Sequence, residues 1–417
     1  MDKFKIFGGK KLCGSCAIYG AKNACLPLYA ASILTDEKVV LHNVPRFSDV
    51  VKMEDILKEI GCGVSVFGDC VEIKPKNADN FFVPANLAKD IRSSVFVLGS
   101  LLSRFKKAKI AYPGGCDIGS RPIDLHIKGL RDLGVKIEEK HGFIECDGSN
   151  MKAGMVHLDF PSVGATENLI MAACKIKGET TIVNCAKEPE IIDLACFINK
   201  MGGKIVGAGT GTIKIVGVEK LHGCEFAPIG DRIVGGTMLL AGAITGGNVE
   251  ISGINPEHLF SLTTKLHESG CQIDVKGDKI ALGVGSRRLK CVPSVQTSPY
   301  PGFPTDLQAP MLALQTVCKG TSVITENLFE TRFKHVPELK KMGANITIND
   351  RVAVVHGVKA LSGAEVFAQD LRGGAALVLA GLVASGYSTV CNVFHIDRGY
   401  FKMEEMLESL GADIKRI

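Results

Sequence analysis

One pattern of apolar and polar positions recurs six times along the chain. In each copy, a stretch with apolar residues at helical spacing ends at a glycine and continues into an alternating run. The six copies are MEDILKEIGCGVSV, IKGLRDLGVKIEE, LACFINKMGGKIV, TTKLHESGCQIDV, VPELKKMGANITI and MEEMLESLGADIKRI. Each copy predicts an amphipathic helix, a glycine in the left-handed conformation that closes it, and a strand.

The glycines that end these predicted helices are regularly spaced. They are Gly61, Gly134, Gly202, Gly270, Gly343 and Gly411. The successive gaps are 73, 68, 68, 73 and 68 residues, so the pair 73 and 68 occurs twice. This spacing indicates that a set of three units has been duplicated.

A second series of stretches lies between these helices and is apolar nearly all round. Its members are ACLPLYAASIL, VFVLGSLLSRF, ENLIMAACKI, GGTMLLAGAI, LQAPMLALQTV and GGAALVLAGLVASG. A helix without a polar face has to be buried on every side, and β-rich runs such as TTIVNC and TSVITEN follow the stretches. Three such units per domain predict a closed, pseudo-threefold α/β architecture with helices inside a shell of sheets.

Length and composition fit this prediction. The chain has 417 residues, more than the ~250–300 that one hydrophobic core usually serves, so at least two domains are expected. No apolar run reaches the ~18 residues that span a bilayer. The first residues, MDKFKIFGGKKLCGS, lack the apolar core of a signal peptide. We therefore expect a cytoplasmic location.

Charge and cysteine content narrow the possible functions. There are 49 basic and 44 acidic residues, without a block of five or more lysines or arginines, so general nucleic-acid binding is not indicated. Cys13 and Cys16 form the one C-x-x-C among 15 cysteines, and no second ligand pair accompanies it as a zinc site requires. We expect the cysteines to be mostly structural, and the glycine run GAGTGT to form a hairpin turn.

Basic residues recur where the predicted helices begin. Those before the apolar helices are Lys22, Arg92, Arg232 and Arg372, and those before the amphipathic helices are Arg46, Arg121, Arg332 and Arg398. Helix N-termini favour anions, and guanidinium groups suit phosphate and carboxylate. The set predicts a small ligand that is rich in both groups.

Asp306 is the exception at these positions, because it places a carboxylate among the cations. We expect it to stay ionised and able to accept a proton from a hydroxyl. The alternative is that Thr305 or Asp306 is simply a helix N-cap. His126 and His395 lie beside the basic residues without metal-ligand spacing, so a structural role is expected for both.

The stretch PGGCDIGSRPIDLHI, residues 113–127, places Cys116 among three glycines. Such a cluster is tolerated where a loop has to bend or move, although an ordinary surface turn would also explain it.

Several segments together resemble one family. They are GAKNACLPLYAASIL from Gly20, PGGCDIGSRPIDLH from Pro113, SVGATENL from Ser162, FPTDLQAP from Phe303, ENLFETRFKHVPEL from Glu326 and HIDRGY from His395. They are similar, in family order and over the whole chain, to the UDP-N-acetylglucosamine 1-carboxyvinyltransferases. The resemblance implies two inside-out α/β barrel domains of three pseudo-symmetric repeats each. We expect the domains at residues 22–229 and at 1–21 with 230–417, with the active site in the cleft between them.

The resemblance also implies a reaction. The 3-hydroxyl of UDP-N-acetylglucosamine would add to phosphoenolpyruvate, and phosphate would then leave. Both substrates are phosphorylated small molecules, so a cation-lined site would work without a metal or cofactor. No nucleic acid, membrane or obligate protein partner is implied.

The resemblance assigns roles to individual residues. Cys116 would protonate the methylene carbon of phosphoenolpyruvate or form an adduct with it, on a glycine-rich lid, and Asp306 would be the base. The other catalytic residues would be Lys22 and Arg398. The substrate-binding residues would be Lys22, Asn23, Arg92, Arg121, Pro122, Ile123, Asp124, Leu125, Ser162, Val163, Gly164, Asp306, Leu328, Arg332, Asp370, Arg372 and Arg398.

Some positions depart from the family pattern, and other functions stay open. Phe160 stands where certain members have a lysine, Val234 where an acid is common, and Cys25 is unusual. The first two could weaken nucleotide contacts or domain closure.

The alternatives to the implied function are a shikimate-type enolpyruvyl transferase, a ring-forming DNA clamp, and a nucleotide-sugar sensor or silent paralogue without turnover.

Overall fold

The computed structural model of the chain describes residues 2–89, 91–114 and 123–417. These residues form two compact units. The C-terminal unit comprises residues 2–19 and 230–417, and the N-terminal unit comprises residues 20–114 and 123–229. The chain thus begins and ends in the same unit.

Helices and short strands are interspersed throughout the described residues. The helices are α1 (Lys22–Ala31), α2 (Ser48–Glu59), α3 (Ala85–Ala88), α4 (Val97–Phe105), α5 (Asp124–Asp132), α6 (Val163–Ala173), α7 (Pro189–Lys200), α8 (Arg232–Thr245), α9 (Phe260–Ser269), α10 (Gln308–Val317), α11 (Val336–Lys341), α12 (Leu371–Val383) and α13 (Met403–Ser409). Short 3-10 turns are Ser32–Leu34, Pro75–Asn77, Arg92–Phe96, Pro256–Leu259, Thr305–Leu307 and Val393–His395.

The strands are mostly three to five residues long. They are β1 (Phe4–Phe7), β2 (Cys13–Ala17), β3 (Val39–Leu41), β4 (Gly63–Phe67), β5 (Cys70–Lys74), β6 (Phe82–Val83), β7 (Lys107–Ala111), β8 (Lys136–Lys140), β9 (Phe143–Asp147), β10 (Met155–His157), β11 (Glu179–Val183), β12 (Lys204–Val206), β13 (Thr212–Val216), β14 (Glu225–Phe226), β15 (Asn248–Ser252), β16 (Gln272–Lys276), β17 (Lys279–Gly283), β18 (Ser294–Gln296), β19 (Thr321–Thr325), β20 (Asn345–Asn349), β21 (Val352–His356), β22 (Glu365–Phe367), β23 (Tyr387–Cys391) and β24 (Asp413–Arg416).

The sheets formed by the described residues share one topology. Each has four strands, of which one edge strand runs parallel to its neighbour and the other two pairings are antiparallel. The N-terminal unit holds β14-β3-β5-β4, β6-β7-β9-β8 and β10-β11-β13-β12, and the C-terminal unit holds β2-β15-β17-β16, β18-β19-β21-β20 and β22-β23-β1-β24. Strands β1 and β2 therefore complete two sheets of the C-terminal unit.

The predicted α/β fold class is confirmed. Helices α1, α4 and α6 in one unit, and α8, α10 and α12 in the other, are buried nearly all round. Many strands bury one face and expose the other, as in β13, where burial alternates strictly along the strand. In each unit the apolar helices thus lie inside three sheets, as the duplicated repeat predicts.

Local features of the repeats also follow the sequence. The six glycines that end the amphipathic helices have φ between 86° and 103°, a left-handed conformation that is strained for other residues. The GAGTGT run joins β12 to its antiparallel partner β13, as predicted. Cys13 and Cys16 lie on β2 and do not open a helix, which a thioredoxin-like site would require.

Helices α4 and α6 approach each other closely at Gly99. The amide N–H of Gly99 donates to the Asn168 side chain over 2.7 Å. A Cβ at Gly99 would lie 2.2 Å from the Asn168 carbonyl oxygen. Because this neighbour is helix backbone, the clash cannot be relieved by a side-chain rotation.

Gly99→Ala is therefore expected to destabilise the N-terminal unit by about 1–3 kcal/mol or more through overpacking. Urea denaturation followed by circular dichroism measures the change. Gly154→Ala is the matched control, because a Cβ at Gly154 meets no atom within 4 Å. Equal unfolding midpoints for the two variants would contradict the close approach.

Candidate active site

The carboxylate of Asp306 is held by two arginines in the C-terminal unit. Arg332 Nη2 lies 2.5 Å from Asp306 Oδ1, and Arg372 Nη2 lies 3.2 Å from Oδ2. The arginine side chains are only 3% and 4% exposed, whereas that of Asp306 is 28% exposed. Each carboxylate oxygen thus accepts a charge-assisted hydrogen bond from a different cation, and the carboxylate keeps access to solvent.

The alternative that Thr305 or Asp306 is a helix N-cap is wrong. Both residues lie in the 3-10 turn that precedes α10, and no side chain caps that helix. Thr305 Oγ1 instead donates to Glu326 Oε2 over 2.8 Å. This hydrogen bond anchors the 3-10 turn, and neither Thr305 nor Asp306 caps the helix.

Glu326 organises this region, although the sequence did not single it out as a site residue. It is fully buried, and its Oε1 accepts from Thr297 Oγ1 and from the backbone amide of Leu328, both over 2.9 Å. The backbone position of Leu328, which was predicted to bind the nucleotide, therefore depends on Glu326.

Helix α12 presents Arg372 through a cap made by Asp370. Asp370 Oδ1 accepts from the amides of Arg372 and Gly373 over 3.0 and 2.9 Å. Burial acts to lower the pKa of Arg372, but Asp306, Tyr400 and Asp231 together raise it above its ordinary value. Arg372 therefore remains a cation in spite of its burial.

His335, at the start of α11, is buried beside this cluster. Burial lowers the pKa of His335 to about 4, Asp370 opposes that shift and Arg332 adds to it. The imidazole is therefore neutral near pH 7 and adds no further positive charge. Arg398 is half-buried. Burial lowers the pKa of the neighbouring His395, Asp370 opposes that shift, and the Arg398 charge adds to it.

In the N-terminal unit, Lys22 is the first residue of α1 and forms an ion pair. Its Nζ lies 2.6 Å from Asp49 Oδ2, and both side chains are buried. Asn23 follows Lys22 in the first turn and is half-buried. Asp49 was not predicted from the sequence, because a single acid on α2 has no distinguishing motif.

The beginnings of α5 and α6 come together around His126. Asn168 Nδ2 lies 2.8 Å from His126 Nδ1, and a Cβ at Gly164 would lie 3.1 Å from the same imidazole. Burial, with a smaller effect of Arg92, lowers the pKa of His126 to about 3. His126 is thus a neutral packing residue, which supports the structural role expected from the sequence.

Other predicted site residues of this unit lie at the same helix starts. Ser162 caps α6, since its Oγ accepts from the Ala165 amide over 3.3 Å, and Val163 is the first residue of the helix. A cavity of about 500 Å³ is bordered by Arg92, Ile123 and Asp124. Its border also includes Lys128 and Arg131 of α5, which the sequence did not single out. Leu125, on the first turn of α5, is half-buried.

Three predicted site residues, Cys116, Arg121 and Pro122, lie outside the described residues.

Arg46, one of the recurring arginines, forms an ion pair with the buried Glu54, which also accepts from Tyr29 Oη. The role of Arg46 is therefore structural.

Phe160 and Val234, two of the three departures from the family pattern, differ in their surroundings. Phe160 is 48% exposed and follows Asp159, which forms an ion pair with Lys128 over 2.6 Å. Val234 is fully buried in α8.

Comparisons with known proteins agree over the whole length. The family model described as EPSP synthase (3-phosphoshikimate 1-carboxyvinyltransferase) matches residues 6–407. UDP-N-acetylglucosamine 1-carboxyvinyltransferase 2 of Caldanaerobacter subterraneus subsp. tengcongensis is 50% identical over 417 residues, covering 100% of both chains. The enzyme with the same name from Clostridium tetani is 48% identical, again covering 100% of both chains. The chain belongs to the UDP-N-acetylglucosamine 1-carboxyvinyltransferases.

Solved structures support the family fold. The enolpyruvyl transferase NikO from Streptomyces tendae superimposes with a TM-score of 0.89 at 24% identity, covering 100% of this chain and 98% of that one. An EPSP synthase from Acinetobacter baumannii superimposes with a TM-score of 0.75 at 19% identity, covering 100% of both chains. Within the described ranges, no helix combines the length and the apolar character needed to cross a bilayer.

The buried neutral His126 predicts a pH dependence of stability. The folded state holds the pKa near 3, whereas the ordinary value is 6.5, so protons bind preferentially to the unfolded state. The stabilising contribution is complete above pH 6.5 and is lost as the pH falls from there towards 3, by up to about 1.4 kcal/mol per pH unit.

The urea midpoint of His126→Gln is therefore expected to fall less between pH 7 and pH 5 than that of the unmodified chain. His222→Gln serves as the control, since His222 is exposed. A pH dependence that His126→Gln leaves unchanged would contradict the assignment.

Proposed function

We propose that this enzyme transfers the enolpyruvyl group of phosphoenolpyruvate to the 3-hydroxyl of UDP-N-acetylglucosamine and releases phosphate, the first committed step of peptidoglycan synthesis. The observation that carries the proposal is the partly exposed Asp306 carboxylate between two buried arginines. The full-length identity of 50% to a relative with that name supports it. Both substrates are phosphorylated small molecules, so we also propose a cytoplasmic site of action, with no nucleic-acid partner.

The first step is an addition. The oxygen of the 3-hydroxyl forms a bond to C2 of phosphoenolpyruvate, its proton passes to Asp306, and the methylene carbon gains a proton. Cys116 is the proposed donor of that proton, by resemblance to the family. Loss of a proton from the same carbon then expels phosphate and leaves the enolpyruvyl ether.

The geometry sets a condition on Asp306 as a base. Both carboxylate oxygens accept from arginines, so one of those hydrogen bonds has to lengthen before an oxygen can accept the substrate proton. An anionic substrate that binds the same arginines would compete for their N–H groups, and one of these hydrogen bonds would therefore lengthen. Arg332 Nε and Arg372 Nε and Nη1 are buried without a hydrogen-bond partner among the described residues, and they suit a carboxylate or phosphate.

Further contacts come from helix starts. Lys22 and Arg398, with Arg121 and Asn23, would hold phosphoenolpyruvate, and Lys22 would do so while paired to Asp49. The amides at the start of α6, Ser162–Gly164, and the Arg92 guanidinium would bind the nucleotide, because both favour anions. Ile123 and Asp124 of the cavity border, together with the adjacent Leu125, would contact its uridine.

Phosphate release from phosphoenolpyruvate tests the reaction. Asp306→Asn is expected to lower kcat by about 10²–10⁴-fold, the usual contribution of a general base. Asp274→Asn is the control, because Asp274 is exposed on β16. Full activity of Asp306→Asn would refute its role as the base.

The same assay tests the cysteine and the acceptor. Cys116→Ala is expected to abolish release that depends on UDP-N-acetylglucosamine, whereas Cys13→Ala, at an exposed thiol, should not change it. Release with 3-phosphoshikimate as acceptor would favour the shikimate-type alternative. Binding of the nucleotide sugar without any release would indicate a sensor or a silent paralogue.

A further inference from the structure

Glu326 directly follows β19 and is fully buried. A buried carboxylate is costly unless hydrogen-bond donors surround it. Both oxygens of Glu326 accept hydrogen bonds, and they serve different parts of the candidate site. The backbone N–H of Glu326 donates to the carbonyl oxygen of Arg351 over 2.8 Å, which anchors the residue beside β21.

The Oε2 atom holds the turn that carries Asp306. It accepts from Thr305 Oγ1 over 2.8 Å, and Thr305 immediately precedes Asp306. The carbonyl oxygen of Thr305 lies 3.4 Å from Arg332 Nη2, the same nitrogen that donates to Asp306 Oδ1. The residue before the proposed base is therefore held through both its side chain and its backbone.

The Oε1 atom holds the backbone that follows Glu326. It accepts from the amides of Leu328 and Phe329 over 2.9 and 3.2 Å, and from Thr297 Oγ1 over 2.9 Å. Thr297 Oγ1 in turn accepts from the Asn327 amide over 2.9 Å. Three successive backbone amides are thus fixed by one oxygen, directly or through Thr297.

These contacts restrict how Leu328 can meet a substrate. Its amide donates to Glu326, so a substrate would contact its carbonyl oxygen or its half-buried side chain. Because both oxygens of Glu326 belong to one planar carboxylate, a shift of that group changes the Leu328 backbone and the Asp306 turn together.

We propose that Glu326 is a positioning residue that couples the base to the sugar nucleotide. Its Oε2 fixes the turn of Asp306 through Thr305, and its Oε1 fixes the backbone of Leu328. The inference rests on the proposed function, in which Asp306 is the base, and on the predicted contact of Leu328 with the nucleotide. Glu326 is fully buried and itself contacts no substrate in this assignment.

Thr305→Val tests the arm that leads to Asp306, because it removes the hydroxyl that donates to Oε2. It is expected to lower kcat by about 10- to 100-fold, since a small displacement of a catalytic group suffices for such a loss. KM for UDP-N-acetylglucosamine should change little, and Thr305→Ser should restore kcat. Thr347→Val is the control, because Thr347 is exposed on β20.

Thr297→Val tests the arm that leads to Leu328. It removes the hydroxyl between Oε1 and the Asn327 amide. It is expected to raise KM for UDP-N-acetylglucosamine by about 2- to 10-fold, as for loss of one hydrogen bond, with a smaller change in kcat. Thr297→Ser should keep the KM of the unmodified enzyme.

Two substitutions of Glu326 separate reach from charge. Glu326→Gln keeps the length and one oxygen for the Leu328 and Phe329 amides, and its NH2 group can donate to the Thr305 hydroxyl. Glu326→Asp keeps the charge but is one methylene shorter, so it cannot reach both arms. Glu326→Gln is therefore expected to be the more active variant, and Glu326→Asp to show both kinetic defects. The threonine variants decide the question if neither substitution folds.

Three results would overturn the proposal. They are unchanged kinetics of Thr305→Val, the same pattern of kcat and KM changes in Thr305→Val and Thr297→Val, and a Glu326→Asp enzyme more active than Glu326→Gln.

If the unmodified protein releases no phosphate, the proposed function fails instead. Hydrogen exchange of the Leu328 and Phe329 amides, measured by NMR, then tests the positioning role without turnover. Exchange should be slow in the unmodified protein and faster in Glu326→Asp and Thr297→Val. Rates equal to those of the unmodified protein would refute the role of Glu326.

Discussion

The C-terminal unit depends on how it balances charge where its buried helices begin. Helices α8, α10 and α12 direct the positive ends of their dipoles towards one region, and Arg372 and Arg332 add two full charges there. Asp231 and Asp370 cap two of the helices, and Asp306 forms ion pairs with both arginines. Asp306 thus balances two buried positive charges, and it is also the group that the proposed reaction uses.

In the N-terminal unit, the starts of α1, α5 and α6 carry less charge. Asp49 neutralises Lys22, Ser162 caps α6 with a hydroxyl, and His126 is kept neutral by burial. The start of α6 therefore keeps a capacity for anions, because it is capped by a neutral hydroxyl.

Cations also occur at the opposite ends of the buried helices, where they have a different role. Arg104 donates to the carbonyl oxygens of Ile33 and Thr35 beyond α1, and Arg288 donates to those of Val317 and Cys318 at the end of α10. A cation at a helix C-terminus satisfies carbonyls and stabilises the dipole. A cation at a helix N-terminus does neither, so its position there calls for an anion.

The sequence by itself determined the duplicated repeats, the buried and amphipathic helices, the glycines that end them, and the family, because helical and strand periodicity are local properties. Only the tertiary structure decided which of the similar arginines act together. Arg46 forms an ion pair with Glu54. Arg332 and Arg372 instead donate hydrogen bonds to Asp306, from which they are 26 and 66 residues distant in sequence. Glu326 likewise acquires its role from residues that lie more than 20 positions away in the sequence, Thr297 and Thr305. Such pairings depend on how the repeats pack in space, and no local pattern of residues encodes that packing.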